Sequence, residues 1–143
     1  MAKILLVEDD KSLSFLLQTI LQKKSYLIMT AYTGQTALDW IENSKPDLIL
    51  LDVGLPDMNG LEVCKKIKNN SATRRIPVII LTAFNDNQTK MKANLIAHAD
   101  LFLNKPIDNN DLLSSITMLL DKSSAERTLR RNLFRRTKST SCL

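Results

Sequence analysis

Five side chains stand out by type and by place in the chain: Glu8, Asp9, Asp52, Thr82 and Lys105. Each closes a short apolar run or follows it within two residues. Alone, an acid in that place is usually a helix cap or a solvated loop residue. Together, three carboxylates, one hydroxyl and one ammonium describe a reactive centre. Carboxylates gathered within a few ångströms repel one another and raise each other's pKa unless a cation neutralises them. A hard, oxygen-seeking ion such as Mg²⁺ fits, because it uses one or two carboxylates and keeps positions for water and phosphate oxygens. With such an ion present, one carboxylate can act as a nucleophile toward phosphorus. A lysine and a threonine are then suited to hold the equatorial oxygens of the transferred group.

The elements that must position these residues alternate strand and helix. Ile4–Val7 reads as a strand buried on both faces, with a helix from about Lys11 to Lys23 after it, patterned by Leu13, Leu16, Leu17, Ile20 and Leu21. Tyr26–Ala31 is the second strand, and Thr33–Asn43 a helix that stops before Pro46. Leu48–Asp52 is the third strand, Gly60–Lys68 a helix and Val78–Thr82 the fourth strand. Asp86–Ala97 is a helix, Leu101–Asn104 the fifth strand and Asp108–Asp121 the fifth helix. Five such units in about 120 residues imply a parallel sheet covered by helices on both faces. Its functional site belongs beyond the carboxyl ends of the strands, where all five chemical residues fall. Asp10 is as well read as a helix N-cap as a metal ligand.

Composition narrows the class. With 143 residues, 44% of them apolar and 5% aromatic, the chain is sized for one globular domain. Its apolar runs are about four residues long, far short of the ~20 that span a bilayer, and no signal peptide is expected ahead of the first strand. Two cysteines, Cys64 and Cys142, are too few for a disulfide framework or a zinc site and suit a reducing cytoplasm. The net charge of +5 is unevenly spread. Residues 1–121 hold 13 Lys and Arg against 14 Asp and Glu; residues 122–143 hold seven basic residues and one acid.

Five segments, in order, resemble the receiver domain of two-component response regulators, of the single-domain chemotaxis and cell-cycle type. They are Lys3–Asp10, Pro46–Asp52, Leu55–Gly60, Ile76–Ala83 and Phe102–Pro106. The resemblance covers residues 2 to about 121 and implies a flavodoxin-like α/β fold: a doubly wound five-stranded parallel sheet, order 2-1-3-4-5, with five helices. It implies that Asp52 is the phosphoacceptor, that Glu8 and Asp9 are the acidic pair and that the Gly54 carbonyl completes a Mg²⁺ site. Thr82 and the Ala83 amide would bind the phosphoryl group, Lys105 would pair with it across a cis bond to Pro106, and Thr82 with Phe102 would form the switch. The expected donor is a histidine kinase or histidine phosphotransfer protein, and the output is contact with a downstream protein.

Departures from the family pattern bear on kinetics and stability. Gly54 has no side chain to guide or block water, and Phe84 is apolar where a polar residue could position it. His98 occupies a place where the family keeps Gly as a left-handed helix cap. As a phosphate carrier His98 is disfavoured, since it follows a helix and does not sit on a bundle face. Residues 122–143 form a basic tail or helical extension. Leu129 lies nine residues past Leu120, half a turn out of phase, and Ser123-Ser124 mark a candidate break. Leu129, Leu133 and Phe134 could dock a partner or a weak homodimer. The rival readings are a DNA-binding regulator acting through the tail and an aspartyl-phosphate phosphohydrolase. Nucleic acid is not the expected partner, because no DNA-binding motif accompanies the charge. The hydrolase would need an acid at position 54. No enzymatic role beyond slow autodephosphorylation is expected.

Overall fold

The computed structural model describes residues 1–83 and 97–141, with the side chains of the last helix described through Arg136. Five strands form one parallel sheet in the order β2-β1-β3-β4-β5, as expected. They are β1 (Lys3–Val7), β2 (Leu27–Ala31), β3 (Leu48–Asp52), β4 (Val78–Thr82) and β5 (Leu101–Asn104). The central strands β3 and β4 are buried at every position, which explains why their sequences, LILLD and VIILT, are apolar without alternation.

Among the described residues there are four helices: α1 (Lys11–Gln22), α2 (Gly34–Ser44), α3 (Gly60–Asn69) and α4 (Asn109–Ser141). The count of five is therefore not reached; the helix expected over Asp86–Ala97 lies outside the described residues, apart from Ala97, which is not helical. Each of the first three helices starts on a side-chain cap. Asp10 accepts the Ser12 and Leu13 amides at 3.0 and 3.2 Å, Thr33 that of Thr36 at 3.1 Å, and Asn59 that of Leu61 at 2.8 Å. These caps satisfy donors that a helix start leaves unpaired.

Alternate residues of each inner strand point to opposite layers. Leu5, Val7, Ile49, Leu51, Val78 and Ile80 pack toward Ala37 and Ile41 of α2 and Val63, Cys64 and Ile67 of α3. Ile4, Leu6, Leu48, Leu50, Ile79 and Leu81 pack toward Leu17 and Leu21 of α1 and Leu112, Ile116 and Leu119 of α4. Burial raises the Cys64 thiol to about 12, so it packs as a neutral side chain. On α1 the apolar face is narrower than its pattern suggested: Leu16 is exposed, and Ser14 is buried with its hydroxyl accepting from Gln18. Lys68 anchors the end of α3 by donating to the Ile76 carbonyl and the Asp100 carboxylate, both at 2.7 Å, while Asp100 also accepts the Val78 amide.

The last helix corrects one expectation. It does not stop at Asp121 and does not break at Ser123-Ser124; it runs through 33 residues. Its buried stripe is not continued beyond Leu120, in keeping with the half-turn offset of Leu129. Leu112, Ile116 and Leu119 are buried, whereas Leu129, Leu133 and Phe134 are 60, 51 and 67% exposed. No described helix is long and apolar enough to cross a membrane.

Candidate functional site

Register brings the chemical residues to one edge. Val7, the last residue of β1, pairs with Leu51 of β3, so Glu8 and Asp9 emerge beside Asp52. Asp52 pairs with Leu81, and Thr82 with Asn104, which places Thr82 and Lys105 on the other side of Asp52. The Lys105 amide donates to the Thr82 carbonyl at 2.8 Å and locks the end of β5 to that of β4. The Lys105–Pro106 bond is cis, and Thr82 is buried.

The side chains converge as expected. The Lys105 ammonium lies 3.2 and 3.1 Å from the Glu8 carboxylate oxygens and 3.2 Å from Asp52 Oδ1. Glu8, Asp9 and Asp52 each offer an oxygen within 4.8 Å of the others. Asp10 is not in this group; its carboxylate is spent on the α1 cap. Burial, the first cause, and the charge of Asp52 raise the Glu8 pKa to about 7 against the opposing pull of Lys105. For Lys105, burial works downward, but the charges of Asp52 and Glu8 outweigh it and the net direction is up. One ammonium thus serves two buried carboxylates, with a third beside them. The donor set, all carboxylate oxygen and short of positive charge, suits a hard divalent cation.

Two glycines and an aspartate fix the loop after Asp52. The Gly60 amide donates to the Val53 carbonyl at 2.8 Å, and a Cβ on Gly60 would fall 2.0 Å from the Asp52 carbonyl oxygen. Only glycine lets α3 begin this close to the Asp52 peptide. Gly54 bridges to Asn59, and a Cβ there would sit 4.0 Å from Asp52 Oδ2, so the space above that oxygen is unfilled by residue 54. Asp57 reaches across to accept the Gly34 and Gln35 amides at 2.7 and 2.9 Å, and these bonds lower its pKa. Sequence reasoning missed Asp57 and Asn59; both sit in a loop acid-or-amide position whose partners lie across a turn or on another element.

The remaining expected residues are placed less centrally. Ala83 follows Thr82 at the edge and is exposed. Phe102 is half-buried and packs against the cluster that contains Val63, Ala97 and Ala99. His98 has φ of 58°, the left-handed conformation expected where the pattern has Gly, and is exposed. Phe84 lies outside the described residues.

Residues 4–117 match the response regulator receiver domain model. The chain is 41% identical over 120 residues to the response regulator ArlR of Staphylococcus aureus, an alignment covering 84% of this chain and 53% of that protein. It thus spans about half the length of the curated relatives it matches. Among solved structures, a CheY-like response regulator receiver domain protein from Methanospirillum hungatei superposes with a TM-score of 0.82 at 31% identity, covering 88% of this chain and 98% of that one. A two-component response regulator from Clostridium difficile gives 0.79 at 31% identity, covering 85 and 97%. Sheet order, the acidic edge and these likenesses agree: the chain belongs to the response regulator receiver domain family of two-component signal transduction.

Proposed function

We propose that this protein is a phosphoryl-accepting switch in which Asp52 is the acceptor. The observation that carries the reading is the convergence of Glu8, Asp9, Asp52 and Lys105 at the carboxyl edge of the sheet, with one ammonium within 3.2 Å of two carboxylates. Glu8, Asp9, Asp52 and the Gly54 carbonyl would hold Mg²⁺, which would offset the carboxylate charge and polarise phosphoryl oxygens. Asp52 Oδ attacks phosphorus in line with the leaving group. Lys105 then trades its Asp52 contact for a phosphoryl oxygen, and Thr82 with the Ala83 amide binds the others. Both contacts exist only in the modified state, so they bias the protein toward a second conformation, read through Thr82 and Phe102.

The donor is a histidine kinase or histidine phosphotransfer protein, in the cytoplasm, and the output is altered binding of a downstream protein. Residues 1–121 form the receiver and 122–143 a basic C-terminal extension, helical as far as Ser141. A weak homodimer through Leu129, Leu133 and Phe134 is compatible with their exposure. The phosphohydrolase alternative is disfavoured because Gly54 supplies no general acid next to Asp52. A DNA-binding regulator acting through the extension is the remaining rival.

Labelling with acetyl phosphate tests this reading. With Mg²⁺, one phosphoryl group should be added, and chelation of the metal should prevent it. Labelling that persists undiminished in chelator would remove the metal from the account.

A further inference from the structure

The opposite edge of the sheet carries the opposite charge. Asp47, just ahead of β3, and Asp52 at its end stand about 16 Å apart at 3.3 Å per residue. Beside Asp47 lies a cleft of about 310 Å³ lined by Lys45, Asp47, Arg75, Ser123, Arg127 and Arg130 among others. Four cations therefore face one carboxylate. That carboxylate is already engaged: Asp47 accepts the Lys3 amide at 2.8 Å and meets Arg127 at 4.0 Å. The Lys45, Arg75 and Arg130 side chains make no hydrogen bond or ion pair among the described residues.

Three elements build this cleft. Lys45 arrives on the left-handed cap of α2, at φ of 40°, and Arg75 on the turn before β4. The third wall is α4 beyond Asp121, which brings Ser123, Arg127 and Arg130 onto the face that its earlier turns bury. The continuous helix thus supplies two of the four cations, Arg127 and Arg130. Like charges drawn together repel unless an anion lies between them. The arginine fork matches phosphate oxygens in pairs. Cations set around a concavity of small-molecule size favour a compact ligand over a rod of evenly spaced phosphates.

We propose that this cleft binds a small oligophosphate, such as the di- or triphosphate group of a free metabolite, at the end of the sheet remote from Asp52. Inorganic tripolyphosphate titrated into the full chain by calorimetry, without Mg²⁺, should bind at a single site. Arg75→Ala and Arg130→Ala should each weaken binding about tenfold, the loss expected of one charge-assisted contact. Arg135→Ala, about 140° around α4 from Arg130, should leave it unchanged. All three variants should accept phosphate on Asp52 normally, so the result stands apart from the fate of the phosphoacceptor reading. Absence of binding, or equal loss in Arg135→Ala, would overturn the site. So would a short DNA duplex binding more tightly than tripolyphosphate near physiological salt, which would make the extension a nucleic-acid arm.

Discussion

Glu8 is raised from 4.5 to about 7 by burial beside Asp52, so the folded, metal-free protein holds that proton more tightly than the unfolded chain does. The sign follows from linkage. Stability from this group is fully present below pH 4.5 and is lost as pH rises to about 7. At 1.36 kcal/mol per pKa unit, the loss across that window is about 3 kcal/mol. Glu8→Gln removes the titration and keeps the side-chain shape. The variant should therefore be more stable than the parent at pH 8 by up to about 3 kcal/mol, with the gap nearly closed at pH 4.5. Urea denaturation followed by circular dichroism, in chelator, measures both proteins at each pH. Comparing the two cancels other titrating groups, such as Asp57, whose lowered pKa acts in the opposite sense. Millimolar Mg²⁺ should narrow the gap at pH 8 by stabilising the parent's ionised carboxylates. A gap that does not change between pH 4.5 and 8 would refute the assignment of Glu8 as the strained member of the cluster.

Gly60→Ala must push a methyl group against the Asp52 carbonyl. It should cost about 1–3 kcal/mol in thermal or urea unfolding and also slow Asp52 labelling, because the two peptides move together. His98→Gly removes a left-handed side chain at φ of 58° and should stabilise the protein by about 1 kcal/mol in urea, with labelling unaffected. Lys105→Ala removes the ammonium that stands 3.1 Å from Glu8 and 3.2 Å from Asp52. It should still be labelled, but the change in hydrogen-exchange protection that phosphorylation brings around Thr82 and Phe102 should disappear.

The fold was legible because its strands are apolar at nearly every position and each is followed by a turn or cap. The strand order followed from the family resemblance, while the gathering of Glu8, Asp9, Asp52 and Lys105 at one edge, with Thr82 ending the adjacent strand, followed from reading strand ends. What escaped was set by tertiary neighbours. Asp57 caps a helix 23 residues away in sequence, a pairing no local pattern encodes. Leu16 was assigned to the buried face of α1 by spacing, yet Ser14 took an inner position, since each helix buries only the arc its neighbours cover. The end of α4 escaped for a related reason. Its apolar stripe stops near Leu120, but loss of burial does not end a helix whose residues 122–141 contain neither Gly nor Pro.

The most direct test of the central claim is intact-mass spectrometry after incubation with acetyl phosphate and Mg²⁺, on the parent chain and on Asp52→Asn. The parent should gain the mass of one phosphoryl group and Asp52→Asn should gain none. Equal labelling of the two proteins would remove Asp52 from its role as acceptor.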